Sequence, residues 1–343
     1  MTWKNIQNIK ALCSPNRVID RYPMSENIQH HIVQTRQRIV DILEKKSQRK
    51  LIIIGPCSIH DPVAALEYGK RLVELKKKHQ DKLEIVMRVY LEKPRTTLGW
   101  KGFVYDPYLD NTGCVNDGLL QARKLLLDLN ALGLPTATEF LDFLLVPYIS
   151  DLMSWATIGA RTVESQVHRA LASSLTIPIG FKNATDGNVE KAVQAILSSR
   201  EAQTLCCISE QGENQFAQSM GNPFTHIVLR GGNKPNYYQE DIIQTERLLE
   251  QYHLEKNIMI DVSHGNSQKQ FKKQIDVVDE ICSFLSHKKQ TIIGLMIESF
   301  LQEGHQSIDV LDKLEFGKSI TDGCLGFEDT EKLLDDLVKY ILL

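Results

Sequence analysis

Residues 51–61 read LIIIGPCSIHD. Four aliphatic residues run without alternation into Gly55-Pro56, and Cys57 follows where the chain leaves its strand. An unbroken apolar run of this length suits a strand covered on both faces, as in a parallel sheet. Seven further runs of the same kind follow: EIVMRVY (84–90), PTATEF (135–140), ATIGA (156–160), IPIGFK (177–182), HIVLRGG (226–232), IMIDVSH (258–264) and IIGLMIE (292–298). Between them lie stretches of helical periodicity at 62–78, 116–132, 188–199, 241–252 and 273–287, with a last one at 328–343. Strands alternating with helices imply a parallel sheet, and eight such units are the number that closes a (β/α)8 TIM barrel. An open, doubly wound sheet is the alternative.

Three segments exceed a minimal barrel. Residues 1–46 form an extension whose segment ENIQHHIVQTRQRIVDILEKK reads as helical, leaving 47–343 as the barrel domain. At about 204–222, two short runs around Gly212 read as a β-hairpin inserted before the sixth barrel strand. The loop after the second strand, EKPRTTLGWKGFVYDPYLDNTGCVND, is long enough to carry function.

Composition excludes several classes. In 343 residues, hydrophobic content of 42% and charged content of 24% are those of a globular chain with ample core. The formal net charge of -3 supplies no global attraction to nucleic acid. Seven cysteines without regular spacing or a CxxC make a disulfide framework unexpected. No apolar run approaches a membrane span, and the first residues lack a signal-peptide core. A reduced, cytoplasmic protein is expected.

Barrel enzymes gather function at the C-terminal ends of their strands, and here those ends are polar. They carry Cys57, Arg88 with Lys93 and Arg95 just beyond, Glu139, Arg161, Lys182, Arg230, Asp261 with His264, and Glu298. Singly, each has a plain structural role: Cys57 as a small buried hydrophobe, His264 as a hydrogen-bonded histidine, Glu298 as the partner of a neighbouring arginine. Together, Cys57, His264 and Glu298, with Asp322 from the loop after the eighth strand, form a mixed S, N and O donor set. That set suits one divalent transition metal ion, Mn²⁺, Fe²⁺, Co²⁺ or Zn²⁺, rather than Ca²⁺. The six cations Arg88, Lys93, Arg95, Arg161, Lys182 and Arg230 would repel one another in an empty cavity, so anionic ligands are expected there.

These motifs also spell a family. GPCSIHD, MRVYLEKPRTTLGWKG, EFLD, WATIGARTVESQVHR, GFKNATDGN, HIVLRGG, DVSHGNSQKQ, GLMIES and SITDGCLGFEDTEKLL, in that order, resemble the type I, feedback-regulated bacterial 3-deoxy-D-arabino-heptulosonate 7-phosphate (DAHP) synthases. The resemblance runs from about residue 20 to the last helix. It implies condensation of phosphoenolpyruvate with erythrose 4-phosphate at the entry to the shikimate pathway. It also implies metal ligation by Cys57, His264, Glu298 and Asp322, and phosphoenolpyruvate held by Arg88 and Lys93 at its carboxylate and by Arg161, Lys182 and Arg230 at its phosphate. Arg95 and Thr96 would take the phosphate of erythrose 4-phosphate, Glu139 would position water, and Lys93 or a metal-bound water would donate a proton. The extension and hairpin imply an aromatic amino acid effector and a homo-oligomer, dimer or tetramer. The chain departs from the family pattern at Val146-Pro147 and Thr176, which bears on the effector. The related octulosonate phosphate synthases, which act on arabinose 5-phosphate, typically carry KANRSS where this chain has KPRTT. A Schiff-base aldolase using Lys182 and a catalytically inert amino acid sensor are the remaining alternatives.

Overall fold

The computed structural model describes residues 5–285, 290–308 and 313–341. Its barrel strands are β1 (Lys50–Gly55), β2 (Leu83–Arg88), β3 (Thr136–Glu139), β4 (Met153–Ile158), β5 (Ile179–Lys182), β8 (Thr225–Leu229), β9 (Ile258–Asp261) and β10 (Ile292–Glu298). They close in the order β1-β10-β9-β8-β5-β4-β3-β2, every pair parallel, which overturns the open-sheet alternative. Strands β6 (Thr204–Ile208) and β7 (Asn214–Gln218) form the antiparallel hairpin expected between 204 and 222. No helix among the described residues is long and apolar enough to cross a membrane.

Several expected boundaries shift. The run expected at 156–160 is a strand from Met153 to Ile158; Ser154 and Trp155 interrupt its aliphatic pattern, yet both are fully buried. Strands β2 and β8 end at Arg88 and Leu229, so the residues beyond them belong to loops of the mouth. Helix α6 (Gln166–Ser174) and the short α1 (Pro15–Arg21) and α5 (Val146–Ile149) were not expected. The other helices are α2 (Glu26–Leu43), α3 (Pro62–Lys78), α4 (Val115–Ala131), α7 (Glu190–Arg200), α8 (Gln239–Gln251), α9 (Lys273–Leu285) and α10 (Phe327–Ile341). The expected ends at 286–287 and 342–343 lie outside the described residues.

Helix α2 closes the N-terminal end of the barrel. Its Ile39, Ile42 and Leu43 pack on inward residues of the strands, among them Leu51, Val86, Trp155, Met259 and Ile293. Arg36 fixes the plug by donating to the carbonyls of Met153 (2.9 Å from Nε) and Ser150 (3.0 Å). At the opposite end the register sets Gly55 beside Glu298, and Arg88 lies on the neighbouring strand β2. A Cβ on Gly55 would come within 2.4 Å of the Arg88 carbonyl oxygen, so glycine lets β1 and β2 approach where the mouth begins.

One buried histidine makes the core pH-sensitive. Trp155 Nε1 donates to His226 Nε2 at 3.0 Å, and burial holds the His226 imidazole at about 4. An unfolded histidine titrates near 6.5, so between those values the unfolded chain binds more protons. Stability is therefore full above about pH 6.5 and falls as pH drops toward 4, by on the order of 3 kcal/mol from this group. His31, also held at about 4 by burial and then by Lys76, adds to the slope. Urea unfolding between pH 4.5 and 7 should show this dependence, and His226→Gln should lower it by about one proton. An unchanged slope in the variant would refute the assignment.

Candidate active site

Every residue given a role from the sequence, except Cys57 and Glu298, lines one cavity of about 400 Å³ at the C-terminal mouth. Cys57 and Glu298 lie just behind its wall, at 0% and 2% exposure. One ligand atom each from Cys57, Glu298 and Asp322 falls within a 4.8 Å cluster. His264 is not in that cluster, but its Nε2 approaches Glu298 Oε1 at 3.6 Å.

The chemistry of these donors fits a metal cation. The Lys93 ammonium already sits among them, 2.7 Å from Cys57 Sγ and 3.6 Å from Asp322 Oδ2, where positive charge is wanted. Burial and then the Glu298 carboxylate push the Cys57 thiol up to about 11, so without a metal it keeps its proton. Burial alone would raise Asp322 as well, but Lys93 and His264 outweigh it and hold that carboxyl at about 2. A divalent ion would reverse the balance at sulfur, since ligation deprotonates a thiol. The His264 ring is oriented by its neighbours so that one nitrogen points at the cluster. Its Nδ1 faces Asp261 Oδ2 at 2.9 Å and Ser263 Oγ at 2.6 Å, leaving Nε2 toward Glu298.

The cations differ from the expectation of six charges awaiting anions. Three of them have partners inside the protein. Arg88 donates to Glu298 Oε1 at 2.9 Å and to the carbonyls of Pro56 and Cys57, with its guanidinium carbon 3.4 Å from the Tyr90 ring centre. Lys182 pairs with Asp261 at 2.8 Å, and Lys93 contacts Cys57 and Asp322. Arg95, Arg161 and Arg230 have no carboxylate within ion-pair distance among the described residues; Arg161 instead donates to Thr96 Oγ1 at 3.2 Å. Unpaired charge is therefore concentrated at the outer rim, while the inner cations are held in fixed geometry. Burial lowers the Arg230 guanidinium from its ordinary value despite the opposing pull of Asp261, so an arriving anion would be met by a poorly hydrated cation.

Sequence reasoning gave no role to Asp261, Tyr90 or Lys269. Asp261 stood at a strand end, but its pairing with Lys182 crosses β8 inside the barrel and leaves no local spacing. Tyr90 looked like the end of an apolar run. Lys269 lines the cavity because Gln268 and Lys269 both adopt positive φ, 53° and 60°, after the His264 turn.

A second cavity of about 680 Å³ lies on the flank of the barrel, between α1 and the hairpin on one side and the barrel's own α5 and α6 on the other. Ile19 of α1, Val146 and Pro147 of α5, Leu171 of α6, and Leu205 and Ala217 of the hairpin line it. The Asn16 amide donates to the Glu210 carbonyl at 2.8 Å, tying α1 to the hairpin turn.

Residues 25–335 match the model of the DAHP synthetase I family. The Phe-sensitive phospho-2-dehydro-3-deoxyheptonate aldolase of Escherichia coli (strain K12) is 48% identical over 336 residues, 98% of this chain and 96% of that protein. The Trp-sensitive enzyme of Salmonella typhi is 50% identical over 329 residues, 96% and 94% of the two chains. The structure of the phospho-2-dehydro-3-deoxyheptonate aldolase from Francisella tularensis SCHU S4 superposes with a TM-score of 0.96 at 44% identity, covering 98% of this chain and 99% of that one. With identity and coverage this high across the whole barrel and its additions, the chain belongs to the DAHP synthetase I family.

Proposed function

We propose that this DAHP synthase joins phosphoenolpyruvate to erythrose 4-phosphate at the barrel mouth, releasing phosphate. The observation that carries the reading is the juxtaposition of a Cys57, Glu298 and Asp322 donor cluster with a cavity walled by cations. In this scheme Arg161, Lys182 and Arg230 hold the phosphoenolpyruvate phosphate, and Arg88 and Lys93 face its carboxylate. Arg88 has most of its five N–H donors engaged by Pro56, Cys57, Met296 and Glu298, so it contributes charge and little further hydrogen bonding. Arg95 and Thr96 take the acceptor phosphate, and the two anions are thereby oriented with the methylene carbon against the aldehyde carbon.

A bond forms between those carbons, water adds at C2 of the former enol, and cleavage of the C2–O bond releases phosphate. Lys93 Nζ donates a proton to the former aldehyde oxygen, and Glu139, 8% exposed, orients the water. When bound by Cys57, His264, Glu298 and Asp322, an Mn²⁺, Fe²⁺, Co²⁺ or Zn²⁺ ion supplies Lewis-acid polarisation of the aldehyde. The flank cavity takes an aromatic amino acid as feedback effector; its apolar lining and the Phe- and Trp-sensitive relatives support this. The arm and hairpin, with Ile9, Phe216 and Met220 exposed, supply contacts between copies in a dimer or tetramer.

The test follows phosphoenolpyruvate loss and phosphate release with erythrose 4-phosphate or arabinose 5-phosphate, in chelator and then with Mn²⁺. Turnover is expected only with erythrose 4-phosphate and metal, and is expected to fall on addition of one of Phe, Tyr or Trp. Preference for arabinose 5-phosphate would overturn the acceptor assignment, and metal-independent turnover would overturn the role of the Cys57 cluster.

A further inference from the structure

The loop that carries Lys93, Arg95 and Thr96 leaves the barrel after β2 and returns through residues 101–104. Its neck is closed by main-chain bonds: Lys93 N to the Lys101 carbonyl at 2.9 Å, and Val104 N to the Leu91 carbonyl at 3.2 Å. Gly102, at φ 113°, lies so close that a Cβ would come within 2.6 Å of Glu92 Cα. The tip is exposed, with Leu98 at 99%. Something must therefore fix the neck to the rest of the mouth if Arg95 and Thr96 are to hold a phosphate at a set distance from Lys93.

Glu92 is the side chain in that position. It is 6% exposed, and it makes no ion pair with a lysine or arginine among the described residues. Its Oε1 accepts from the Asp142 amide at 3.1 Å and its Oε2 from the Leu141 amide at 3.4 Å. Those amides belong to the loop after β3, which follows directly on Glu139, the last residue of that strand. The second loop is itself anchored: Asp142 Oδ2 accepts from Tyr105 Oη at 2.7 Å, and the Leu141 carbonyl meets His168 Nε2 at 2.7 Å. Burial, only partly offset by the Asp142 amide, pushes the Glu92 carboxyl up to about 8. Near neutrality it is largely uncharged, so it acts through hydrogen bonds and not as a counter-charge for Lys93.

We infer that Glu92 is a positioning residue for the phosphosugar acceptor: its carboxyl locks the loop bearing Lys93, Arg95 and Thr96 to the loop that follows Glu139. This rests on the reading of Arg95 and Thr96 as the acceptor phosphate site. Cutting the joint leaves two half-buried amides unpaired and frees the loop tip that reads the acceptor, while Arg161, Lys182 and Arg230 stay on their own strands and Lys93 stays held by Cys57 Sγ at 2.7 Å and Asp322 Oδ2 at 3.6 Å. The loss is then selective for one substrate.

The experiment measures KM for each substrate, kcat and thermal midpoint in the Mn²⁺-loaded enzyme for wild type, Glu92→Ala, Glu92→Gln, Glu92→Asp and Arg95→Ala. Expected are a rise of about tenfold or more in acceptor KM for Glu92→Ala, with phosphoenolpyruvate KM within about twofold. Glu92→Gln, which keeps an oxygen for the Asp142 amide and matches the uncharged form, should return acceptor KM to within about threefold of wild type. Acceptor KM unchanged in Glu92→Ala overturns the inference, as does an equal rise in both KM values that glutamine does not correct. If the alanine variant does not fold, Glu92→Asp decides: with the carboxyl drawn back by one methylene, an acceptor KM equal to wild type overturns the inference. Arg95→Ala separates the two claims. If it raises acceptor KM and the Glu92 variants do not, the inference falls alone; if it has no effect, the phosphate reading falls and the inference with it.

Discussion

Cys57→Ala is expected to give a folded protein that binds Mn²⁺ more than about 100-fold more weakly and loses more than about 100-fold in kcat/KM. The sulfur is the one soft donor of the cluster, and its removal leaves the Glu298 and Asp322 carboxylates, with the His264 imidazole beside them, which suit harder ions and hold them less well. The fold should survive. Cys57 is fully buried, but deleting one sulfur atom costs about 1–2 kcal/mol, a fraction of the roughly 5–15 kcal/mol of an ordinary domain. Metal loss and anion binding should also separate. Lys93 would lose its 2.7 Å contact with Sγ but keep Asp322 within reach, and Arg161, Lys182 and Arg230 are untouched. Calorimetry should thus find phosphoenolpyruvate still bound by metal-free Cys57→Ala within a few-fold of metal-free wild type. Wild-type turnover in this variant, or in chelated wild type, would remove the metal from the mechanism.

The fold was legible because each barrel strand is buried on both faces and reads as a continuous run. IIGLMIE matches β10 from Ile292 to Glu298, and 62–78 matches α3 residue for residue. Reading failed where composition hid the pattern. Trp155 and Ser154 belong to β4 because the barrel interior near α2 offers Trp155 the His226 nitrogen, a partner 71 residues away. Helix α6, nine residues rich in Ala and Ser, has too short an apolar stripe to stand out. The site was legible as a list of residue types at strand ends, since parallel register brings those ends to one mouth. Its pairing was not legible. Arg88 with Glu298 spans β2 to β10 and Lys182 with Asp261 spans β5 to β9, and neither pair has a sequence separation that marks it. The cations consequently looked free when the inner ones are committed.

That commitment makes Asp261 the residue whose loss should be felt most widely. Asp261 has no exposure and accepts from Lys182 Nζ at 2.8 Å, Ser263 Oγ at 2.6 Å and Ser263 N at 3.1 Å, with His264 Nδ1 at 2.9 Å. Burial alone would raise its carboxyl; His264 and Lys182 outweigh it and hold the group well below the usual carboxylate range. Asp261→Asn keeps the shape and removes the charge. Lys182, 3% exposed, then lacks a counter-charge, and breaking such a buried pair costs about 3–5 kcal/mol. Without that partner the Lys182 ammonium is no longer fixed for a phosphate, so kcat/KM for phosphoenolpyruvate should fall by about 100-fold or more. His264 loses the acceptor that turns its Nε2 toward Glu298, and Mn²⁺ affinity should fall by about 10–100-fold. A merely structural Asp261 would lower the thermal midpoint and leave the metal affinity where it is. The Mn²⁺ affinity, read beside the thermal midpoint, therefore decides whether β5 and β9 share one electrostatic unit or only one wall.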